Sequence, residues 1–520
     1  MFTRMKRTFI TLFMALSVMS GFSQNSEYAG WYKIHNDSIH GANINAAINY
    51  IKANKIKYKK NIIVGVLDSG IDTASVALKQ VLWTNKKEKA DGKDNDKNGY
   101  VDDLHGWNFL GTADGSFNML RAGTEEYREF KRLYPKYKNV KDGDDEANMW
   151  PLEYAYYKKV RKKCGVGSYM MFYQFSQQKA VTIAKMDSLL HTVKNLNPDT
   201  LTIAGLFTQE VEDSAWAQYG QEIYVDLIKA EPTQTWPEFK KAQAEALKQM
   251  AHNLWKIEGE ADKRLLIGDD MNNAADRFYG NGKLDIEGYE HGTFVASIVA
   301  GKADKEHDAF SGIWPNARIM AVRCSPDGDE YDKDVASSIH YAVDNGAKVI
   351  NISLGKYLSP DHKMVDDALL YAQKHDVLVI AAAGNNYLNI DTIGYYPQGI
   401  DASRKSLDNY VRVGGITMLG KLSKVSNYGG KKVDLYAPGE YISGVYPGDK
   451  YDFANGTSVA APVVSGIAAM IRNCFPKLTA AQVKDVLMKS VHPMENKTIS
   501  VSGGYVDALE AVKLAHKLNK

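Results

Sequence analysis

The segment Asn455-Gly456-Thr457-Ser458-Val459-Ala460-Ala461-Pro462 sets one hydroxyl on a small-residue turn, directly before a strongly apolar, helix-compatible run. Gly456 can take backbone angles closed to other residues, and Pro462 suits the first turn of a helix, where a missing N–H costs little. Ser458 is thereby expected at a helix N-terminus, whose free N–H groups and dipole favour negative charge and suit a reaction that passes through an oxyanion. A Gly-Thr-Ser turn that only caps a buried helix has the same local pattern. Two other reactive groups stand at the ends of regular elements. Asp68 closes the β-branched run Ile62-Ile63-Val64-Gly65-Val66-Leu67, the pattern of a buried strand; the C-terminal ends of such strands are where ligands bind in open α/β sheets, although an Asp there is also a common turn residue. His291 opens the apolar helical stretch Gly292 to Gly301, where a histidine is often structural.

A second constellation lies at Asp91-Gly92-Lys93-Asp94-Asn95-Asp96-Lys97-Asn98-Gly99-Tyr100-Val101-Asp102-Asp103. Asp94, Asp96 and Asn98 alternate oxygen ligands and Gly99 allows a sharp turn, as in the first half of an EF-hand loop; Tyr100 belongs to the same ligand run. The bidentate Glu of an EF-hand is replaced by His105, so Asp102 or Asp103 is expected to supply the remaining carboxylate. The reading is a structural calcium site; a solvated acidic turn is the alternative.

The elements that must position these groups follow from periodicity. From residue 318 onward the chain alternates regularly: strand at Arg318 to Val322, helix from Asp334 to Asn345, strand at Val349 to Ser353, helix to His375, strand at Val377 to Ala382, further strands around Val411 and Val433, and a helix from Thr479 to Ser490. Apolar strands alternating with helices predict an α/β fold, a doubly wound and mostly parallel sheet with helices on both faces. Residues 111–260 differ: they are rich in Tyr, Lys, Glu and Gln, carry helical periods such as Ile183, Met186, Leu190 and Val193, and read as an inserted helical subdomain.

The 520 residues suffice for one large domain with insertions or for two. A net charge of +2 gives no electrostatic case for nucleic acid. Arg4, Lys6 and Arg7 followed by an apolar run to Val18 read as a signal peptide over residues 1–23, too short to span a bilayer, with export to the periplasm or outside the cell. No lipid or membrane anchor is expected in the mature chain. Residues 24–60 read as an N-terminal extension packed on a main domain over residues 61–520. Three well-separated cysteines do not make a disulfide framework.

Asp68-Ser69-Gly70, His291-Gly292-Thr293 and Gly456-Thr457-Ser458-Val459-Ala460-Ala461-Pro462, in that chain order, resemble the three signatures of the subtilases, the subtilisin-like serine peptidases. Ala383-Gly384-Asn385 is similar to the family's oxyanion segment, and Ser353-Leu354-Gly355 to its substrate-binding strand. The resemblance covers residues 62–110 and 285–515. It implies an endopeptidase acting on polypeptides: His291 takes the proton of Ser458 and returns it to the leaving amine, Asp68 orients the imidazole, and Asn385 with the Ser458 N–H binds the oxyanion. Ser353, Leu354 and Gly355 are expected to pair with substrate backbone, Ala383 and Gly384 to line its path. Three departures stand out. Asp68 and His291 are 223 residues apart because of the insertion. The stretch before the core is too short for the folded prodomain many subtilases carry. Tyr395 of Tyr395-Tyr396-Pro397 stands where the family has a glycine in the wall of the P1 pocket, which implies a narrowed pocket for small or medium side chains. A peptide-binding protein that kept the fold and an esterase are the competing functional classes.

Overall fold

The protein's structure, a computed structural model, describes residues 30–58, 61–209, 211, 213–259, 261–302 and 310–520. Residues 1–23, read above as a signal peptide, fall outside the described residues. The chain divides into two compact units, residues 30–122 with 264–520, and Gly123–Lys263.

The first unit is built on a nine-stranded sheet. Its principal elements, in chain order, are α1 (Ile44–Ala53), β1 (Ile62–Asp68), β2 (Gly106–Asn108), α2 (Glu290–Ala300), β3 (Ala317–Arg323), α3 (Asp332–Asp344), β4 (Val349–Ile352), α4 (His362–Lys374), β5 (Leu378–Ala382), β6 (Tyr410–Ile416), β7 (Leu435–Pro438), α5 (Thr457–Cys474), α6 (Ala480–Lys489), β8 (Val491–Pro493), β9 (Gly504–Val506) and α7 (Ala508–Leu518). The strand order is β8-β9-β7-β6-β5-β4-β1-β3-β2. All pairs are parallel except β8 with β9.

Both faces are covered, which is why the central strands are apolar throughout rather than alternating. Val64 and Val66 of β1 join Val295, Ile298, Val463 and Ile467 on one face. Leu67 joins Ile339, Ala342, Leu369 and Ala372 of α3 and α4 on the other. The small residues of α5 let that helix sit deep: a Cβ on Gly466 would lie 2.4 Å from Ile313 Cβ. Pro462 lies inside this helix, not in its first turn, because the helix begins at Thr457. Helix α6 starts on a capping box, Thr479 and Gln482 satisfying each other's backbone N–H groups.

The N-terminal extension is part of this core. Trp31, Tyr32, Ile44, Ala47 and Ile51 are buried in the same cluster as α5 and α7, and the Ala508 N–H donates to Ala42 O at 2.8 Å. The chain re-enters the unit at Arg264, whose fully buried guanidinium pairs with Asp269 and Asp334 at 2.5 and 2.6 Å.

The second unit is helical, with long helices at Glu125–Tyr137, Pro151–Lys163, Val166–Leu190, Ser214–Leu227 and Trp236–Gly259. Ile183, Met186 and Leu190 pack with Ile223, Leu227 and Trp236 in its core. Tyr154 and Tyr157 are buried beside Tyr137. Its boundaries, 123 and 263, differ from the 111–260 that composition suggests. Residues 111–122 are tied to the sheet unit: Arg323 donates to Met119 O at 2.6 Å, Asn108 donates to Asn118 Oδ1 at 2.7 Å, and Met119 is buried with Leu110 and Tyr331.

Candidate active site

Asp68 stands at the C-terminal end of β1, between β3 and β4. Its Oδ1 accepts from Ser69 N at 2.7 Å and contacts His291 Nδ1 at 2.7 Å. A carboxylate only accepts, so Nδ1 carries the proton and Nε2 is left as the basic nitrogen. Two glycines allow this approach. A Cβ on Gly292 would lie 2.0 Å from Gly70 O and 3.2 Å from Asp68 Cβ, and Gly70 itself holds φ 103° against Leu284. The glycines of the two short motifs are thus the steric condition for the Asp–His contact.

Asp68 is buried, and its Oδ2 has no hydrogen-bond partner among the described residues. The His291 side chain is 47% exposed, one edge on the carboxylate and the rest open to solvent. Burial disfavours the imidazolium, but the charge and hydrogen bond of Asp68 outweigh it and raise the His291 pKa above the ordinary 6.5.

Ser458 is the second residue of α5, after Gly456 at φ 142°. A Cβ on Gly456 would lie 3.0 Å from Asn385 Nδ2 and 3.4 Å from Ser458 Oγ, so hydroxyl and amide converge on one point that glycine keeps open. Asn385, at the mouth of the loop after β5, is oriented by Thr457. Its Oδ1 accepts both the Thr457 N–H and the Thr457 hydroxyl at 2.8 Å, and Gly384 N donates to that hydroxyl at 3.0 Å. With Oδ1 taken, the NH₂ faces the serine as a donor. This is the arrangement that stabilises charge developing on a carbonyl oxygen.

Pro462 adds a positional device. It has no N–H, so the Ser458 carbonyl receives no helical i−4 bond from it, and Ser353 Oγ donates to that carbonyl at 2.8 Å. Ser353 in turn accepts from Asn351 Nδ2 at 2.9 Å, and Asn351 Oδ1 accepts from Ser465 at 2.8 Å. The helix that carries Ser458 is tied through side chains to the end of β4. Beyond it, Leu354 and Gly355 make no backbone hydrogen bond among the described residues. Ala383 N is engaged with Val413 O at 2.9 Å, and Tyr395 is buried against Gly355 and Gly384.

A model of the subtilase family matches residues 59–506. The chain belongs to the subtilase family. Mycosin-4 of Mycobacterium tuberculosis is 34% identical over 45% of this chain and 59% of its own length. The thermophilic serine proteinase of a Bacillus species is 37% identical over 35% of this chain and 42% of its own. Subtilisin DY of Bacillus licheniformis is 31% identical over 40% and 73%. The chain thus spans less than two thirds of the length of the first two of these relatives. Among solved structures, the prenylagaramide maturation protease PagA is 28% identical over 44% of this chain and 82% of that one, with a TM-score of 0.38.

The acidic loop brings Asp94 and Asp96 together with Glu88, one carboxylate oxygen from each lying within 4.8 Å of the others. Sequence reasoning missed Glu88, which stands outside the alternating run and has no motif spacing. Its Oε1 accepts Asp96 N at 2.9 Å and its Oε2 accepts Asp102 N at 3.2 Å. Three hard oxygen donors on a turn with Gly99 at φ 93° fit a calcium ion in donor chemistry. Asn98 Oδ1 instead accepts Tyr100 N at 2.8 Å, while the Tyr100 side chain is buried. Asp102 accepts the Asp91 and Gly92 amides. Asp103 is fully buried on Asn85, Asn98 and Tyr341, where desolvation pushes its pKa up to about 6. The structure therefore groups Asp94 and Asp96 and gives Asp102 and Asp103 other partners. His105, in the place of the EF-hand Glu, contacts Trp83 O through Nδ1 at 2.8 Å.

Proposed function

We propose that this subtilase is an exported serine endopeptidase working through Asp68, His291 and Ser458. The observation that carries the reading is the 2.7 Å contact of buried Asp68 with a half-exposed His291, in a chain whose Ser458 and Asn385 converge at Gly456. His291 Nε2 accepts the proton of Ser458 as Oγ attacks the peptide carbonyl. Charge moves onto the carbonyl oxygen, held by Asn385 Nδ2 and the Ser458 N–H at the start of α5. The imidazolium, stabilised by Asp68, protonates the leaving amine as the C–N bond breaks. Water then attacks the acyl-enzyme by the same steps, with His291 as base and then acid.

The substrate backbone adds as a strand along Ser353, Leu354 and Gly355; the unpaired Leu354 and Gly355 backbone supports this. Ala383, Gly384 and Tyr395 flank the residue before the scissile bond. Glu88, Asp94 and Asp96 would hold calcium, with Asn98 and Tyr100 on the same turn, and the ion would fix the loop. Export rests on the charged and apolar N-terminal run. Among the described residues no helix is long and apolar enough to cross a membrane.

The test is digestion of an unstructured polypeptide by wild type and Ser458→Ala, with the new termini mapped by mass spectrometry. Wild type is expected to generate internal cleavages that the folded variant does not. Equal cleavage by both would remove Ser458 from the mechanism, and turnover of small esters without peptide cleavage would make the protein an esterase.

A further inference from the structure

On the peptidase reading, an acylated peptide with its carbonyl oxygen at Asn385 and its backbone along Ser353–Gly355 would aim the side chain before the scissile bond at the gap between Gly355 and Gly384. In this chain the gap is full. A Cβ on Gly355 would lie 2.7 Å from the Tyr395 hydroxyl oxygen, and a Cβ on Gly384 would lie 2.7 Å from Tyr395 Cζ. One ring therefore touches both walls, and it is 5% exposed.

The ring is also braced. Tyr357 packs edge-on against it at 5.1 Å between centroids, and the buried Arg412 guanidinium lies 5.5 Å from its centre. Arg412 is anchored in turn, donating to Pro397 O and to the Tyr410 hydroxyl. Across the mouth, Tyr357 donates to Asn386 Oδ1 at 2.8 Å and accepts from Asn427 Nδ2 at 2.9 Å. Asn427 also holds Ala383 O and the amides of Asn386 and Leu388. The two walls are thus stapled by side chains, and widening the gap means breaking this network and displacing a buried aromatic.

We infer that Tyr395, held by Tyr357 and Arg412, reduces the specificity pocket to a shallow face that admits glycine and alanine and turns away larger side chains. The inference rests on the peptidase reading and sharpens it: the substrates are polypeptides cut after glycine or alanine. A pocket that is merely small discriminates by about 10- to 200-fold per methylene. A filled one must move a ring for every atom beyond Cβ.

The test is a set of peptides identical except at the residue before one scissile bond, cleaved by wild type, Tyr395→Phe and Tyr395→Gly. Active sites are counted with a fluorophosphonate reagent. Wild type is expected to favour glycine or alanine over leucine and phenylalanine by about 100-fold or more in kcat/KM. Tyr395→Phe should keep that order, and Tyr395→Gly should gain leucine and phenylalanine cleavage by a similar factor. The wild-type profile decides even if Tyr395→Gly fails to fold. Wild type cleaving after phenylalanine as well as after alanine, with one labelled site per chain, would overturn the inference and leave the peptidase reading intact. An unchanged profile in folded Tyr395→Gly would overturn it too. Absence of labelling would instead sink the peptidase reading on which it stands.

Discussion

Asn385→Asp changes one NH₂ to an oxygen at almost constant shape. The acceptor that Thr457 grips with two hydrogen bonds of 2.8 Å is preserved, so the side chain keeps its place and the fold its stability. On the proposed mechanism the donor to the oxyanion is lost, which costs about 3–4 kcal/mol of transition-state stabilisation, or 100- to 1,000-fold. A negative charge then replaces it. At about 4 Å and an effective dielectric near 20, the repulsion between two unit charges is about 4 kcal/mol, an upper limit at a site as open as this one. Asn385→Asp is therefore expected to be slower than Asn385→Ala, although it is the more conservative change in shape. The loss should appear in kcat with KM almost unmoved, because the interaction exists only in the transition state. Steady-state hydrolysis of one peptide at pH 8 by the three proteins, each checked by thermal melting, gives the comparison. Asn385→Asp within tenfold of wild type, or a loss confined to KM, would refute the role given to this amide.

Other outcomes follow from the same geometry. On the proposed mechanism His291 must be neutral to accept the serine proton, and Asp68 raises its pKa, so kcat/KM should fall on acidification with a midpoint above 6.5. In Asp68→Asn the raising influence is gone and burial remains, so a residual limb should move to lower pH; a limb that stays in place would show that another group titrates. Calcium at 100 times its Kd should stabilise the folded protein by about 2.7 kcal/mol. Glu88→Gln and Asp94→Asn should each weaken that effect, and a melting temperature indifferent to chelator and calcium would remove the ion from the account.

The sheet was readable because its strands are short β-branched runs spaced by helical periods. Ile62 to Leu67 became β1, and the alternation from Arg318 to Ala382 became β3 through β5 within a residue or two. The places of Asp68, His291 and Ser458 at the ends of regular elements were readable because glycines mark where backbones must nearly touch, as at Gly70, Gly292 and Gly456. What escaped was contact between distant segments without periodic spacing. Glu88 meets Asp94 and Asp96 only once the turn closes. Residues 111–122 join the sheet unit through hydrogen bonds from Asn108, Asn281 and Arg323 and through Phe117 and Met119, two apolar side chains too few to set up a period. Pro462 was expected at a helix start, yet its missing N–H acts a turn further in, where it leaves the Ser458 carbonyl to Ser353. Tyr395 is legible as a change from glycine, but its burial against Gly355 and Gly384 and its packing on Tyr357, which Asn427 holds by a hydrogen bond, follow from no spacing.

The central claim is that Ser458 is a nucleophile activated by His291. Intact mass of wild type, Ser458→Ala and His291→Ala after exposure to a fluorophosphonate, with calcium present, tests it most directly. One adduct is expected on wild type, none on Ser458→Ala, and strongly slowed labelling of His291→Ala. An adduct that persists in Ser458→Ala, or none on the folded wild-type protein, would contradict it.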